Sequence, residues 1–294
     1  MSSQLLKRHK ALKRKMTLTD IQNGHVLIDS HCHLLDTPLW DKLPEVIQAA
    51  FASAVEHIIV PCSHLSDFDQ QNRLIQQYGC VTPAFGVHPF FIDEADLNEV
   101  LHHLHLQLQQ HPSALVGEIG LDFGQKPMSS AQQAQQIAFF EAQLDVAQTH
   151  QRPVILHHRA SLPQMLSSIK KVGFSHGGFL HAFAGNIQQA KPWLERQFKL
   201  GLGSVLLKPN ARKVFELLPH LTTQDYVLET DAPYMAFAGM PQAFNQPANV
   251  YLVAQVLANF YQVPWQTIAQ NSSQNVISIL NRLPNHIFIE RNEL

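Results

Sequence analysis

Eight short apolar runs recur between residues 26 and 228, and longer segments with helical spacing separate them. Runs that are apolar on both faces are typical of parallel strands covered by helices, because βαβ crossovers bury both faces of such a sheet. Eight consecutive units favour an α/β fold closed into a TIM (β/α)8 barrel, and an open doubly wound sheet is the second possibility. The predicted strands are Val26–Asp29, Ile58–Pro61, Pro83–Val87, Leu115–Glu118, Val154–Leu156, Gly178–Leu180, Lys199–Gly203 and Tyr226–Leu228.

The segments between the runs have the apolar spacing of amphipathic helices. No low-complexity linker divides residues 25–294, so we expect a single domain there, with the last two helices packed on the outside of the barrel. The predicted helices are Leu43–Ala54, Leu97–Gln110, Ile137–Gln148, Leu162–Ile169, 248–261 and 264–281.

The composition of the 294 residues, 45% hydrophobic and 15% charged, is typical of a globular enzyme. No apolar stretch reaches the roughly 20 residues that span a bilayer, and the N-terminus lacks the apolar core of a secretory signal. The three cysteines, Cys32, Cys62 and Cys80, form no Cys-x-x-Cys pattern and are interpreted as small buried residues. We therefore expect a cytoplasmic protein without a membrane partner or an evident obligate protein partner.

The positive charge is concentrated at the N-terminus. Residues 1–24 hold six of the 21 basic residues and one of the 23 acidic residues, which leaves 15 basic and 22 acidic residues in the rest of the chain. An acidic body argues against a broad nucleic-acid-binding surface. We interpret residues 1–24 as a basic, disordered leader or as the product of a start upstream of Met16.

Polar side chains follow most of the predicted strands at their carboxyl ends, where active sites of such barrels form. The first is the pentad Asp29-Ser30-His31-Cys32-His33, in which alternation along a strand points His31 and His33 to the same side. No glycine-rich nucleotide-binding loop of the Rossmann or Walker type is present. The residues at the strand ends are His31, His33, His88, Glu118, His157, His181 and Asp231.

Imidazole and carboxylate ligands without thiolates suit zinc or another first-row divalent ion, and the carboxylates extend this tolerance to manganese and magnesium. Six ligands exceed the needs of one open tetrahedral ion. The count therefore predicts two adjacent ions, one carboxylate able to bridge them, and a water activated between them as the nucleophile. The six predicted ligands are His31, His33, Glu118, His157, His181 and Asp231.

Five sequence blocks, which occur in the family's order, resemble the TatD family of metal-dependent hydrolases over about residues 25–283. The sequence departs from the family's usual His-x-Phe-Ser-Gly at Ala184, within His181-Ala182-Phe183-Ala184-Gly185, which concerns a hydroxyl contact and not the ligand position. The blocks are Asp29-Ser30-His31-Cys32-His33, Gly86-Val87-His88-Pro89, Gly117-Glu118-Ile119-Gly120-Leu121-Asp122, Pro153-Val154-Ile155-Leu156-His157 and Leu228-Glu229-Thr230-Asp231-Ala232-Pro233-Tyr234.

The resemblance implies a TIM barrel, two divalent ions and phosphodiester hydrolysis, typically by a deoxyribonuclease. It also implies roles for matching positions. His31 and His33 would hold the first ion together with Asp231, which would also orient or deprotonate the attacking water. His157 and His181 would hold the second ion, and Glu118 would bridge both.

Other residues are candidates for contacts with substrate. His88 could donate a hydrogen bond to a phosphate or to the leaving oxygen, and Arg159 could clamp a phosphate with its planar guanidinium. Asp29 and Glu229 are expected to orient ligands from deeper positions. Four aromatic residues could stack on bases or could pack helices onto the barrel, and Asn210 and Arg212 are weaker candidates for substrate contacts. The four aromatic residues are Trp40, Phe90, Phe91 and Tyr234.

Three functions remain open from the sequence. The first is a metal-dependent nuclease that acts on DNA bound locally at the active site. The second is a binuclear amidohydrolase that cleaves a C–N bond of a small molecule, although many such enzymes bridge their ions with a modified lysine where this chain has Glu118. The third is a non-catalytic metal-binding protein, for which the loss of a ligand would be expected.

Overall fold

The computed structural model describes residues 26–124, 128–240 and 243–283, and the predicted leader lies outside these ranges. Eight parallel strands in this part of the chain pair in sequence order, from β1 with β2 to β7 with β8. The strands are β1 Leu27–Asp29, β2 Val55–Pro61, β3 Val81–Phe85, β4 Leu115–Asp122, β5 Val154–Arg159, β6 Gly178–Leu180, β7 Phe198–Leu202 and β8 Tyr226–Leu228.

Backbone hydrogen bonds join the first and last strands. The amide of Ser30 donates to the carbonyl of Leu228 at 2.9 Å, and Cys32 and Ala232 form a parallel bridge just beyond the two strands. These contacts close the sheet, so the TIM-barrel prediction is confirmed and the open sheet is wrong.

Helices cover the barrel on its outer side, and their apolar faces join one large cluster with outward strand residues such as Leu27 and Leu156. In the described residues no helix is long and apolar enough to cross a membrane. The helices are α1 Thr37–Trp40, α2 Leu43–Ala52, α3 Asp67–Gln77, α4 Leu97–Gln110, α5 Ser130–Thr149, α6 Leu162–Val172, α7 Ile187–Leu194, α8 Arg212–Leu217, α9 Val250–Tyr261 and α10 Trp265–Leu280.

At their carboxyl ends, two strands extend further than the sequence analysis predicts. Strand β4 continues past Glu118 to Asp122, and β5 continues past Leu156 to Arg159. Their prolonged pairing brings Asp122 opposite Arg159 and Gly120 opposite His157. A Cβ atom at Gly120 would collide with the backbone of His157, so only glycine allows the two strands to approach at this point. As a result Glu118 lies inside a strand, and Asp122 occupies the strand end.

A second apolar cluster fills the barrel interior at the amino ends of the strands. It contains Ile28, Leu115 and Phe179, which belong to strands that are far apart around the barrel. The end of α10 contributes Val276 and Leu280 to the same cluster. Helix α10 therefore does more than pack on the outside, because its second half covers the amino-terminal end of the barrel.

Candidate metal centre

The carboxyl ends of the strands bring polar side chains together around Glu118. His31 and His33 follow β1, His157 lies in β5, and Asp231 lies three residues after β8. His31 Nε2 lies 3.0 Å from His33 Nε2 and 3.2 Å from Glu118 Oε2. His33 Nε2 lies 3.4 Å from both Glu118 Oε2 and Asp231 Oδ1. The side chains of His31, His33, Glu118 and Asp231 thus converge on one small space.

Beside this space, the other oxygen of Glu118 faces a second group. Glu118 Oε1 lies 3.2 Å from His157 Nδ1 and 3.8 Å from His88 Nε2. Glu118 is buried and lies between the two groups, one carboxylate oxygen toward each. This is the position that a bridging carboxylate requires.

His181 lies on the side of the first group. Its ring stacks on that of His31 with centroids 3.7 Å apart, and its Nε2 is 3.7 Å from Asp231 Oδ1. Three sets of possible ligands result, each with ligand atoms within 4.8 Å of one another: His31 with His33 and Glu118, His31 with His181 and Asp231, and His88 with Glu118 and His157. His88 therefore joins the cluster itself, whereas the sequence assigns it to substrate.

The spacing of these atoms fits a divalent ion. Bonds of about 2.1 Å place two ligand atoms about 3.0 Å apart at a right angle and about 3.4 Å apart at a tetrahedral angle. The distances in the first group, from 3.0 to 3.7 Å, cover this range. In addition, Glu118 Oε1 is buried without a hydrogen-bond partner, and a buried carboxylate oxygen in that state is costly unless a cation meets it. The donor set and its geometry therefore suit a first-row divalent ion.

The charge of the cluster also favours a cation. Burial alone would raise the pKa of Glu118, but His31, His88 and His157 hold it well below its usual range. Burial would lower the pKa of His181, yet the carboxylates of Glu229 and Asp231 raise it to about 10. Burial lowers the pKa of His88 to about 3, so this imidazole is neutral, and its Nδ1 accepts a hydrogen bond from the amide of Phe90 at 3.1 Å. Metal binding requires ionised carboxylates and neutral imidazoles, so Glu118 already has the form that binds metal, whereas His181 would release a proton when an ion binds.

Additional carboxylates hold the histidine rings in place. Asp122 Oδ2 lies 2.9 Å from His157 Nε2, which turns the opposite ring nitrogen, Nδ1, toward Glu118. Glu229 Oε1 lies 3.0 Å from His181 Nδ1 and accepts a hydrogen bond from the amide of Ala182. Such carboxylate–histidine pairs fix the tautomer and orientation of a metal ligand. The sequence analysis assigns this kind of role to Glu229 but misses Asp122.

Asp29 connects the two chain segments that carry ligands. Its carboxylate accepts hydrogen bonds from the amide of His31 at 3.2 Å and from the Thr230 hydroxyl at 2.5 Å. The next residue, Asp231, has a φ of +59°, a left-handed conformation that is uncommon outside glycine. Its amide donates to the carbonyl of His31 at 2.9 Å, so the strained backbone is held directly by the segment after β1 that carries the predicted ligands His31 and His33.

The cluster forms the floor of a cavity of about 240 Å³ at the mouth of the barrel. Ser63, Phe90, Phe91 and Tyr234 also line it. Arg159 does not line this cavity; it is exposed at the end of β5, next to Gly124. Trp40 packs against the main apolar cluster, and Asn210 and Arg212 are exposed at the start of α8. Among the predicted substrate contacts, the structure therefore brings the two phenylalanines, Tyr234 and His88 to the site.

A closed (β/α)8 barrel with clustered histidines and carboxylates at the carboxyl ends of its strands defines a class of metal-dependent hydrolases. The sequence profile of the family described as TatD related DNase matches residues 28–281. The chain belongs to the TatD family and is a metal-dependent hydrolase.

Curated relatives and a solved structure agree with this assignment. The chain is 31% identical over 258 residues to the uncharacterized metal-dependent hydrolase YjjV of Escherichia coli, covering 86% of this chain and 97% of the relative. It is 32% identical over 240 residues to the 3'-5' ssDNA/RNA exonuclease TatD of Citrobacter rodentium, covering 79% and 89% respectively. The crystal structure of YjjV, a TatD homolog from Escherichia coli, superposes with a TM-score of 0.82 at 29% identity and covers 89% of this chain and 100% of the other.

Proposed function

We propose that this protein is a nuclease that hydrolyses phosphodiester bonds of nucleic acid, with DNA as the expected substrate. The observation that carries the proposal is the position of Glu118, with one carboxylate oxygen facing each of two ligand groups at the floor of an open cavity. Two-ion sites of this kind suit in-line displacement at phosphorus. The relative named 3'-5' ssDNA/RNA exonuclease supports the same reaction.

In this proposal, His31, His33 and Asp231 would hold one ion, His157 would hold the other, and Glu118 would lie between them. The sequence analysis assigns His181 to the second ion, but its ring lies with His31 and Asp231, so it would contribute to the first. Zinc, manganese and magnesium all match the donor atoms. When bound, such ions polarise a phosphoryl oxygen and lower the pKa of water toward neutrality. His88 lies close enough to Glu118 and His157 to belong to the second set of ligands as well.

The carboxylate of Asp231 has a role of its own. Burial would raise its pKa, but His181, His33 and His31 lower it, so the group is ionised at neutral pH. It can therefore accept a hydrogen bond from the attacking water and take its proton as the new bond to phosphorus forms and the bond from phosphorus to the leaving oxygen breaks. His88 is neutral, and its position at the cavity wall suits a contact with the phosphate or the leaving oxygen.

The alternative of C–N bond cleavage has less support. Many binuclear amidohydrolases bridge their ions with a modified lysine, and among the described residues that line the cavity none is a lysine. A non-catalytic metal-binding role is also disfavoured, because every predicted ligand position carries a ligating side chain that lies in the cluster.

The test is hydrolysis of end-labelled single-stranded DNA by metal-stripped protein, with magnesium, manganese, cobalt or zinc restored separately. We expect metal-dependent cleavage, and we expect Asp231→Asn to reduce it roughly 10²- to 10⁴-fold, the usual contribution of a general base, while the thermal unfolding midpoint is retained. An unchanged rate in Asp231→Asn would contradict the mechanism. The absence of cleavage with every ion, despite measured metal binding, would contradict the nuclease function.

A further inference from the structure

Two strongly exposed aromatic side chains stand at the mouth of the metal-centre cavity. Phe90 is 43% exposed and Tyr234 is 54% exposed, whereas most large hydrophobic side chains in the described residues are buried. Both line the same cavity, on the wall above the ligand cluster. A single exposed apolar residue is common on protein surfaces, but two exposed rings that line one cavity form the kind of apolar surface that marks a ligand-binding groove.

The two rings belong to different parts of the barrel rim. Phe90 follows β3, and its ring centroid lies 4.6 Å from that of His88 and 5.7 Å from that of His157. Tyr234 follows β8, and its ring centroid lies 5.5 Å from that of His33. The rings therefore flank the space above Glu118 from the two sides of the cluster.

The ring of Tyr234 is fixed in this position. Its hydroxyl donates a 2.6 Å hydrogen bond to Asp36 Oδ2, across the gap between the β8 loop and the β1 loop. A ring that is already held loses little conformational entropy when a ligand stacks on it. The anchor at the hydroxyl leaves more than half of the residue open to solvent.

The described walls of the cavity lack the lysine and arginine side chains that commonly bind phosphates. In addition, residues 25–294 contain 15 basic and 22 acidic residues. A polyanion therefore cannot gain its affinity from a row of phosphate contacts on this surface. Affinity has to come from the metal centre itself and from apolar contacts with the bases.

We infer that Phe90 and Tyr234 are stacking platforms that hold the unpaired nucleobases on either side of the scissile phosphate. This inference rests on the proposed nuclease function. A base in a duplex presents only its edges, so stacking on protein rings requires a single-stranded or frayed end. The protein therefore recognises one or two unpaired nucleotides by their flat faces, independently of sequence and with little dependence on salt.

The experiment compares variants on two substrates, a single-stranded oligodeoxyribonucleotide and the same strand with an abasic tetrahydrofuran at the terminal nucleotide. Phe90→Leu and Tyr234→Leu remove the ring but keep apolar bulk, and Phe90→Tyr and Tyr234→Phe keep the ring. Phe260→Leu is the matched control, because Phe260 is 37% exposed on α9, where it contacts Phe215 and Tyr261.

We expect at least one of the two leucine variants to lose about 5- to 150-fold in kcat/KM on the normal strand, as for one stacked base. On the abasic strand, the kcat/KM of the wild type should fall by a similar factor, because the base that stacks on the ring is missing. The leucine variant that is impaired on the normal strand should show little further loss of kcat/KM on the abasic strand, since ring and base act as one coupled pair. Phe260→Leu should stay within about threefold of the wild type. Phe90→Tyr and Tyr234→Phe keep the ring and should lose less than the corresponding leucine variants, and Tyr234→Phe should show a partial loss because it lacks the bond to Asp36. Equal losses of the leucine variants on both substrates, or no loss at all, would overturn the inference.

A binding measurement separates this inference from the nuclease function. Strands with a terminal 2-aminopurine are titrated with the Asp231→Asn protein, alone and combined with each leucine variant. Stacking predicts that binding quenches the 2-aminopurine fluorescence and that a leucine variant relieves the quenching. It also predicts that the affinity changes less than about tenfold between 50 and 200 mM salt, whereas a surface with 6–10 phosphate contacts would lose about 10³- to 10⁵-fold. Unquenched fluorescence or a steep salt dependence would overturn stacking. Failure to hydrolyse any strand would instead overturn the nuclease function, with the fluorescence still reporting on the rings.

Discussion

The two ends of the barrel are made by the same eight strands but have opposite chemistry. At the amino-terminal end, the interior cluster contains apolar side chains, such as Ile155 and Phe179, and the end of α10 covers it. At the carboxyl-terminal end, Glu118 and Asp231 meet a group of imidazoles beneath an open cavity. One end stabilises the fold through apolar burial, and the other holds buried charges that need a cation.

The partners of its buried carboxylates determine whether the polar end can be stable. Carboxylates that are buried without partners would destabilise the protein by several kcal/mol each. Here histidine partners hold the pKa of Glu118 well below its usual range, although burial opposes this. Asp29 in the same region shows the opposite balance, because burial raises its pKa well above its usual range although Thr230 and His31 donate hydrogen bonds to it. The apolar end needs no such arrangement, so its contribution to stability should be independent of metal.

The largest expected effect is that of Glu118→Ala on the polar end. This change removes both carboxylate oxygens that face the two ligand groups. We expect metal analysis to show the loss of at least one ion, and kcat to fall at least about 10³-fold, because the ions provide several kcal/mol of charge stabilisation in the transition state.

The control for this variant is Glu45→Ala, since Glu45 is an exposed carboxylate in the first turn of α2. Its metal content and rate should match those of the wild type. Full metal occupancy in Glu118→Ala would show that Glu118 is not a bridging ligand.

The next effect concerns the apolar end. Leu280 is fully buried in the interior cluster that α10 closes. We expect Leu280→Ala to lower the free energy of unfolding by about 2–5 kcal/mol, the usual cost of truncating a buried leucine, with the same loss in the presence and absence of metal. Hydrolysis by the folded protein at low temperature should stay near the wild-type rate.

The matched control is Leu106→Ala, because Leu106 is an exposed leucine on α4. Chemical denaturation of both variants, with and without metal, checks the expectation. If the loss in Leu280→Ala depended on metal, the two ends would be energetically coupled, and the separation described above would be wrong.

The sequence predicts the barrel strands and the side chains that gather at their carboxyl ends, because both depend on local pattern, but it does not predict that α10 covers the opposite end. Each strand is an apolar run of a few residues, and the ligands come at or just after the ends of these runs, as with His31 and His157. Parallel pairing then collects them at one end of the barrel. The family resemblance and the apolar runs indicate the same residues, so the fold could be predicted correctly.

Contacts between segments that are distant in the sequence could not be predicted from local pattern in the same way. Strand β4 continues to Asp122 because its backbone pairs with β5, and the sequence of β4 alone does not reveal this pairing. The hydrogen bond between Tyr234 and Asp36 joins residues 198 positions apart. Arg159 shows the opposite case, since its spacing from His157 suggests the cavity but the strand directs it to solvent. Side-chain partners of this kind depend on tertiary packing, which short motifs do not encode.

The smallest and most specific expected effect is that of substituting Asp122, which contacts the metal centre only through His157. Asp122 Oδ1 accepts a hydrogen bond from the amide of Gly124 at 3.0 Å, and Oδ2 accepts one from His157 Nε2 at 2.9 Å. The proton is then on Nε2, and Nδ1 keeps its lone pair toward Glu118.

Asp122→Asn should reverse this tautomer. If the Asn oxygen keeps the bond to Gly124, its NH₂ group faces His157 Nε2, which must then accept the bond while Nδ1 carries the proton. We expect the metal affinity of Asp122→Asn, measured by titration calorimetry, to fall about 10- to 100-fold. The metal affinity of Asp122→Ala should fall by no more than this, because alanine leaves either tautomer of His157 available. Asp69→Asn, at an exposed position on α3, is the control. If Asp122 only filled space, Asn would be milder than Ala, and that order would refute a role in setting the tautomer.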